Sequence, residues 1–452
     1  MTTDPRFAHP NTMTSSSERY VTTMTSRMTF PRPAALLSIG LLSALALVAC
    51  GDNSSGEVAE AADISECAPE DTTIEAQFLQ WGTKPAENAK EVLEAEYEGL
   101  TVEINEVPGG SYDELTQQLV ADIAAGSRPD VIMVGLGQVR FWVDEYDPQP
   151  FDTSALADTY DERFLEAGSV DGTVYTAPFQ TSVPVLFTNT DITENAGVTQ
   201  APATYSEWLE AAQQVTEATG NASVHVPRTA ISDWPVQAMI QNAGGTLVDE
   251  DGMPAFDTEE GREGLAILEE FGSQGLHDSL DVADALDAFT SGNLAYLVYS
   301  PQIAATFHDQ IGENFEWTVT DFPIPDGGTP ELPIGGNGWM VLSEDSCAAA
   351  YSYEFISAML STENIVESSK DWSYIPVDSK AAQILSEDPL AETPVGYAWT
   401  YEGTPTLWGG WHGSSTPAVN QILQDMVQRL TNGEAVDVVV PDTVERIERE
   451  VQ

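Results

Sequence analysis

The amino-acid sequence predicts an α/β fold built on a mainly parallel sheet with helices on both faces. Alternating apolar residues at 73–79 and 101–107, and a short apolar run at 130–134, indicate three strands. Between them, residues 86–97 and the apolar stripe at 115–123 have helical spacing. Strand–helix–strand–helix–strand is typical of parallel strands connected by crossover helices.

The predicted sheet also indicates where a ligand would bind. Ligands of such sheets lie beyond the carboxyl ends of the strands. We therefore expect the site in the turns that follow Leu79, Val107 and Val134.

Helix and strand signals continue through the second half of the chain. Thr204 and Glu207 predict a capping box before a helix that runs to about residue 218. Asp257 and Glu260 predict a second capping box, before a helix that ends near Gly275. The remaining predicted elements are one strand and two amphipathic helices, at residues 295–299, 347–360 and 417–430.

The first 49 residues predict an export signal. Arg27 and Arg32 precede an apolar run at residues 34–49 that is short for a bilayer span. The run leads into residues 47–50 (LVAC), which resemble the lipobox of bacterial lipoproteins and predict lipid on Cys50. The alternative is an ordinary signal peptide followed by a chance cysteine.

Residues 50–67 are interpreted as the lipidated start of the mature protein and a flexible tether, because they are small, polar and acidic. Met1, Met24 and Met28 are all candidate translation starts. No later stretch is apolar enough to cross a membrane. We therefore expect an extracytoplasmic protein held by lipid at the outer face of the cytoplasmic membrane.

The charge balance excludes nucleic acid as a partner. The chain has 73 acidic and 16 basic residues and a net charge of −57, which the phosphates of a nucleic acid would repel. The acidic residues are dispersed, which is typical of a solvated surface. Hydrophobic residues make up 42% of the chain, enough for two domains or one large bilobal unit.

Signals for catalysis or a metal are weak, and we expect no catalytic residue, metal or cofactor. The five histidines have no metal-ligand spacing, and no nucleophile elbow or Walker loop occurs. Residues 249–252 (DEDG) lack the other ligands of a calcium loop and predict a hairpin turn. A glycoside hydrolase with paired acids stays an alternative, because 73 acidic residues guarantee chance pairs.

Two cysteines remain once Cys50 is assigned to lipid. Cys67 and Cys347 form an even pair in an oxidising compartment, which predicts a disulfide. The alternative is two buried thiols.

Motifs along nearly the whole mature chain resemble family 1 of the extracellular solute-binding proteins. In order they are residues 110–115 (GSYDEL), 124–131 (AAGSRPDV), 178–187 (PFQTSVPVLF), 241–245 (QNAGG), 288–293 (AFTSGN), 334–336 (IGG) and 374–377 (YIPV). Each motif is only moderately specific, but their order matches that of the family.

The resemblance implies a two-lobed periplasmic-binding-protein-like fold of type II, with three hinge crossovers near Pro184, Gly336 and Tyr374 and a ligand cleft between the lobes. The lobes would comprise residues 68–183 with 337–373, and 184–336 with 374–452. Cys67 and Cys347 would then both belong to the first lobe, which favours the disulfide.

The resemblance also implies a set of ligand-binding residues. They are Trp81, Asp113, Ser182, Trp234, Ser300, Gly336, Tyr374 and Trp411. Aromatic faces would cover the C–H surface of a sugar, while carboxylate, hydroxyl and backbone groups would satisfy its hydroxyls. For Trp408, Trp411 and His412, a place at the rim of the cleft and ordinary packing remain equal alternatives.

By this resemblance the chain is a monomeric binding protein of an ABC importer whose partners are the membrane permease subunits. Asn420 stands where the glycerol-phosphate branch has a phosphate-binding arginine, and an amide cannot form a charged fork on phosphate. We therefore expect a neutral saccharide or polyol. A glycerophosphodiester, with Arg228 or Arg140 supplying the charge, and a receptor module without an importer are the alternatives.

Overall fold

The computed structural model describes residues 59–451. The predicted export signal, the lipid site at Cys50 and the first part of the tether lie outside the described residues. Within residues 59–451, no helix is both long and apolar enough to span a bilayer.

Twelve strands and fourteen α-helices make up the described chain, besides short 3-10 turns. The strands are β1 (Thr73–Phe78), β2 (Thr101–Glu106), β3 (Val131–Gly135), β4 (Ser169–Val170), β5 (Thr173–Val174), β6 (Ala177–Ser182), β7 (Val185–Asn189), β8 (Val224–His225), β9 (Tyr296–Tyr299), β10 (Trp317–Asp321), β11 (Gly335–Val341) and β12 (Ile375–Pro376). The helices are α1 (Thr83–Glu96), α2 (Tyr112–Ala124), α3 (Val139–Tyr146), α4 (Thr190–Asn195), α5 (Tyr205–Thr219), α6 (Asp233–Asn242), α7 (Glu259–Ser273), α8 (Val282–Thr290), α9 (Ala304–Ile311), α10 (Ser346–Met359), α11 (Thr362–Trp372), α12 (Ser379–Ser386), α13 (Thr416–Thr431) and α14 (Val436–Glu450).

The first lobe is built on a six-stranded sheet in the order β12-β6-β11-β3-β1-β2. Strand β1 pairs in parallel with β2 and β3, as the strand–helix alternation predicts. Strand β11 is antiparallel to β3 and β6, and β12 is antiparallel to β6. The prediction of a mainly parallel sheet is therefore correct for β1, β2 and β3 and wrong for the pairings of β11 and β12. The alternation of strands with crossover helices, which enforces parallel pairing, ends at β3.

The second lobe is built on a four-stranded sheet in the order β10-β7-β9-β8. Strand β6 ends at Ser182 in the first sheet and β7 begins at Val185 in the second, so only Val183 and Pro184 carry the chain between the sheets. The chain returns between β10 and β11, and β12 lies in the first sheet. The expectation of a two-lobed α/β fold is confirmed.

Aromatic side chains fill the core of each lobe. In the first lobe the ring of Trp339 lies 5.6 Å from that of Phe78 and 5.9 Å from that of Phe355. In the second lobe the ring of Phe187 lies 5.4 Å from that of Phe307, on the inner face of β7. Burial of such rings supplies much of the driving force for folding each lobe.

The strands β6 and β11 approach each other closely at Gly336. Its φ is +103°, and a Cβ built on it would lie 1.8 Å from the carbonyl oxygen of Gln180. Only glycine fits this conformation without strain. The close pairing of β6 with β11 therefore requires glycine at this position.

Two helix starts test the capping predictions. Thr204 and Glu207 form the predicted capping box at the start of α5. The predicted box at Asp257 is wrong, because the hydroxyl of Thr258 accepts the N–H of Gly261 at 3.1 Å and caps α7. The carboxylate of Asp257 instead accepts the Nε–H of Arg262 at 2.8 Å.

The predicted disulfide joins Cys67 to Cys347, with 5.5 Å between their Cα atoms. It attaches the segment before β1 to the start of α10, and so ties the two segments of the first lobe together.

Candidate functional site: a cleft beyond the strand ends

The turns after β1 and β2 open onto one cavity of about 550 Å³ that communicates with solvent. Trp81 follows β1, and Gly110, Ser111 and Tyr112 follow β2. This volume includes space that is open to solvent. The cavity is thus where the predicted sheet would place a ligand.

The cavity wall combines aromatic rings with neutral polar groups. The aromatic residues are Trp81, Tyr112, Trp234, Tyr299, Tyr374 and Trp408, and the polar ones are Ser111, Ser182, Ser300 and Gln302. Of the predicted ligand residues, Trp81, Ser182, Trp234, Ser300, Gly336 and Tyr374 line this cavity. Among the described residues that line it, none carries a charge.

Trp81 and Tyr112 form one end of the aromatic wall. Their rings meet edge to face with 5.7 Å between centroids. The side-chain amide of Asn337 donates to the Tyr112 hydroxyl at 3.1 Å, and burial raises the pKa of Tyr112 to about 12. Tyr112 is therefore a neutral phenol at physiological pH and can hydrogen-bond an uncharged ligand.

Trp234 forms another part of the wall and is fixed by the hydrogen bond of its indole N–H. Its Nε1–H donates to the carbonyl of Pro333 at 3.0 Å, and its ring lies 6.0 Å from that of Trp408. The side chain is 3% exposed, yet it lines the cavity. Trp234 thus presents a rigid apolar face whose polar atom is already satisfied.

Two polar side-chain atoms of the wall have no hydrogen-bond partner among residues 59–451. They are Nε1 of Trp81, a donor, and Oε1 of Gln302, an acceptor. The hydroxyl of Ser300 accepts the backbone N–H of Gln302 at 3.2 Å and orients this turn. A buried donor and acceptor left unpaired are costly, and a ligand hydroxyl could pair with either of them.

Asp113 does not line the cavity. Its carboxylate oxygen Oδ1 accepts the amide N–H of Gln138 at 2.5 Å and that of Asn420 at 3.4 Å. Burial raises the pKa of the Asp113 carboxyl. In the structure Asp113 links α2 to α13, and its role as a ligand acceptor stays a prediction.

A second acidic residue near the cavity, Asp233, is not indicated by the sequence patterns. The Nε1–H of Trp408 donates to its Oδ2 at 2.7 Å. Burial, and then the charge of Asp113, raise the pKa of Asp233 to about 7. Its only mark in the sequence is that it directly precedes Trp234. An acidic residue there is equally typical of the first turn of a helix.

The aromatic cluster near the end of the chain divides into two parts. Trp411 is 1% exposed, belongs to the hydrophobic core and is not among the residues of the cavity wall. Trp408 lines the cavity, and His412 lies farther along at a neighbouring one.

The two arginines considered for a phosphate lie away from the cavity wall. Arg228 donates to the carbonyl of Asp278 at 3.4 Å and to the side chain of Asn432 at 3.3 Å. Arg140 is paired with Asp171 at 2.9 Å. Neither lines the cavity.

Comparison with known proteins places this geometry in context. A lactose-binding protein of Rhizobium radiobacter is 23% identical over 51% of this chain and 57% of its own length. The fold is similar to that of a cyclic alpha-maltosyl-1,6-maltose binding protein from Arthrobacter globiformis (TM-score 0.70, 17% identity, 84% of this chain and 99% of that one). It is also similar to UgpB from Mycobacterium tuberculosis, solved in complex with glycerophosphocholine (TM-score 0.71, 16% identity, 83% of this chain and 98% of that one).

The match to a family covers most of both sheets and most of the cavity wall. Residues 76–365 match the family from β1 to α11. The cavity, the two lobes and this match lead to one conclusion: the chain belongs to the bacterial extracellular solute-binding protein family.

Proposed function

We propose that the protein is the substrate-binding lipoprotein of an ABC importer and that it binds a sugar or polyol in the cavity at the strand ends. The observation that carries the proposal is the cavity wall, which offers six aromatic rings and uncharged hydrogen-bonding groups. Aromatic faces suit the C–H surfaces of a sugar ring, and neutral donors and acceptors suit its hydroxyls. The lactose-binding relative supports this choice of ligand class.

The binding step needs no covalent chemistry. The lobes open, the ligand bridges them, and the closed state prevails because only that state makes both sets of contacts. The short connection through Val183 and Pro184 is one place where such a hinge would act. The permease would then recognise the closed form. Lipid on Cys50 would keep the protein at the outer face of the membrane.

A glycerophosphodiester is the second candidate, and the fold shared with UgpB is what favours it. The cavity wall argues against it, because the described residues that line it include no arginine or lysine to pair with a phosphate. The side chain of Asn420 donates to Asp113, and the guanidinium groups of Arg228 and Arg140 are engaged elsewhere. A glycoside hydrolase is a weaker candidate still, since neither Asp113 nor Asp233 lines the cavity.

A thermal-shift screen of sugars, polyols and glycerophosphodiesters tests the proposal. A ligand that binds only the native state stabilises it by RT ln(1 + [L]/Kd), so a sugar at about 100 times its Kd adds roughly 2.7 kcal/mol. We expect a shift with a neutral saccharide or polyol and none with inorganic phosphate. A shift with glycerophosphodiesters alone would transfer the proposal to the second candidate. Release of nitrophenol from chromogenic glycosides by the pure protein would instead reveal a hydrolase.

A further inference from the structure

A second cavity adjoins the first. It measures about 1360 Å³, including the space that is open to solvent, and Trp408 lines both cavities. Its walls come from the turn after β3 and the start of α3, from the β4–β5 hairpin, and from α6 with the segment after it. The second cavity therefore continues along the strand ends from the first.

Trp408 is held in place at the boundary. The indole N–H donates to Asp233, and the indole ring lies against Gly137. A Cβ added to Gly137 would lie 2.6 Å from Cδ2 of Trp408. The side chain of Gln237 accepts the N–H of Gly409 at 3.0 Å and donates to the carbonyl of Leu407 at 2.6 Å. The indole is thus held in place at the boundary that the two cavities share.

The chemistry of the second cavity differs from that of the first. Its wall includes Arg140, Asp171, Asp249, Glu250 and His412, together with the amides of Gln237 and Gln241. Arg140 is already paired with Asp171 at 2.9 Å and with Asp144 at 3.5 Å. The second cavity is hydrophilic with an excess of acidic groups, so it favours a ligand rich in hydroxyl groups and disfavours an anionic ligand.

We infer that the ligand is a saccharide of at least two units without an anionic group, with one unit in the aromatic cavity and the next beyond Trp408 in the second cavity. The inference rests on the proposed function and specifies its substrate class. A single sugar unit would fill only the aromatic cavity and leave the polar groups of the second one to water. A longer ligand gains hydrogen bonds there and contact with the Trp408 indole.

The test uses Thr246, an exposed residue of the second cavity, because a larger side chain there narrows this cavity without disturbing the core. The mature protein is titrated by calorimetry with mono-, di- and trisaccharides of glucose, galactose, xylose and arabinose, and with digalacturonate. In at least one neutral series we expect affinity to rise about tenfold or more from one unit to two. Thr246→Trp should abolish that gain and leave monosaccharide affinity unchanged.

Glu217→Trp, at an exposed position of α5, is the matched control and should leave every affinity unchanged. Monosaccharides that bind as tightly as the longer members of every series would overturn the inference while the proposed function stands. An undiminished gain in Thr246→Trp, or digalacturonate as the tightest ligand, would also overturn it. If no sugar binds at all, the proposed function fails, and this inference fails with it.

Discussion

The indole N–H of Trp408 donates to the carboxylate of Asp233 at 2.7 Å, and this contact joins the loop before α13 to the start of α6 at the edge of the binding cavity. Asp233 is 8% exposed, and Asp113 lies close enough to repel its charge. Burial and the nearby charge of Asp113 raise the pKa of Asp233 from the ordinary value of 3.8 to about 7. A buried carboxyl of this kind couples the protein's stability to pH.

We expect Asp233 to make the folded protein less stable as pH rises from about 4 to about 7. Within this interval the folded state retains the proton and the unfolded state loses it, so each pH unit costs up to roughly 1.4 kcal/mol. Asp233→Asn keeps an acceptor for Trp408 but cannot ionise. Urea unfolding at pH 5 and pH 7 should show a smaller loss in this variant than in the wild type. The exposed Asp251→Asn serves as control and should behave like the wild type.

Gly336 gives a prediction about the pairing of β6 with β11. Gly336→Ala would place a Cβ against the carbonyl of Gln180 at a φ of +103°. We expect a loss of more than about 2 kcal/mol in the free energy of unfolding, because strain and overlap act together. Gly110→Ala is the control, since this cavity glycine has no neighbouring atom within 4 Å of an added Cβ. Equal stability of the two variants would contradict the requirement for glycine at position 336.

The early part of the fold follows from local patterns. The strand β2 and the helices α1 and α2 follow the apolar spacing of the sequence, because each buries one face, and β3 follows its short apolar run, because all five of its residues are buried. Strand β11 did not have such a pattern. All seven of its residues are buried and three of them are glycines, so neither alternation nor β-propensity marks it.

The site was only partly predictable for a related reason. The family resemblance predicts Trp81 and Tyr374 as site residues, whereas it does not decide the place of Trp408 and does not indicate Gln302. The position of Trp408 depends on its contacts with Gly137 and Asp233, which are distant in sequence. Sequence patterns report which residues a segment buries locally, and they do not report which distant segments meet.

The disulfide should contribute to stability through the unfolded chain. Cys67 and Cys347 are 280 residues apart, and cross-linking a long loop typically stabilises a protein by about 2–4 kcal/mol. We expect Cys67→Ser together with Cys347→Ser to lower the urea midpoint accordingly. Intact mass of the wild type after alkylation without reductant should show no modification at these two positions. Two alkylated thiols would contradict the bond.

The acidic surface predicts stabilisation by salt. With 73 acidic and 16 basic residues, self-repulsion destabilises the folded state, and the Debye length falls from about 10 Å at 0.1 M to about 3 Å at 1 M. We expect the melting temperature to rise as NaCl increases over this interval. Glycerol at equal osmolality controls for effects unrelated to charge. A melting temperature independent of NaCl would show that the acids are spaced widely enough not to repel.

Two tryptophans, one in the cavity wall and one in the core, separate binding from stability. Trp234 lines the cavity, whereas Trp411 is 1% exposed in the hydrophobic core. We expect Trp234→Ala to weaken the best sugar found in the screen by at least about tenfold, because its indole face covers the ring. Trp411→Ala should leave Kd nearly unchanged and lower the free energy of unfolding by about 3–5 kcal/mol. Calorimetry distinguishes the two roles, because Trp234 is itself only 3% exposed and its truncation should also lower the ligand-free free energy of unfolding. If Trp234→Ala retains full affinity, its indole does not cover the ligand, and the aromatic wall of the cavity loses its assigned function.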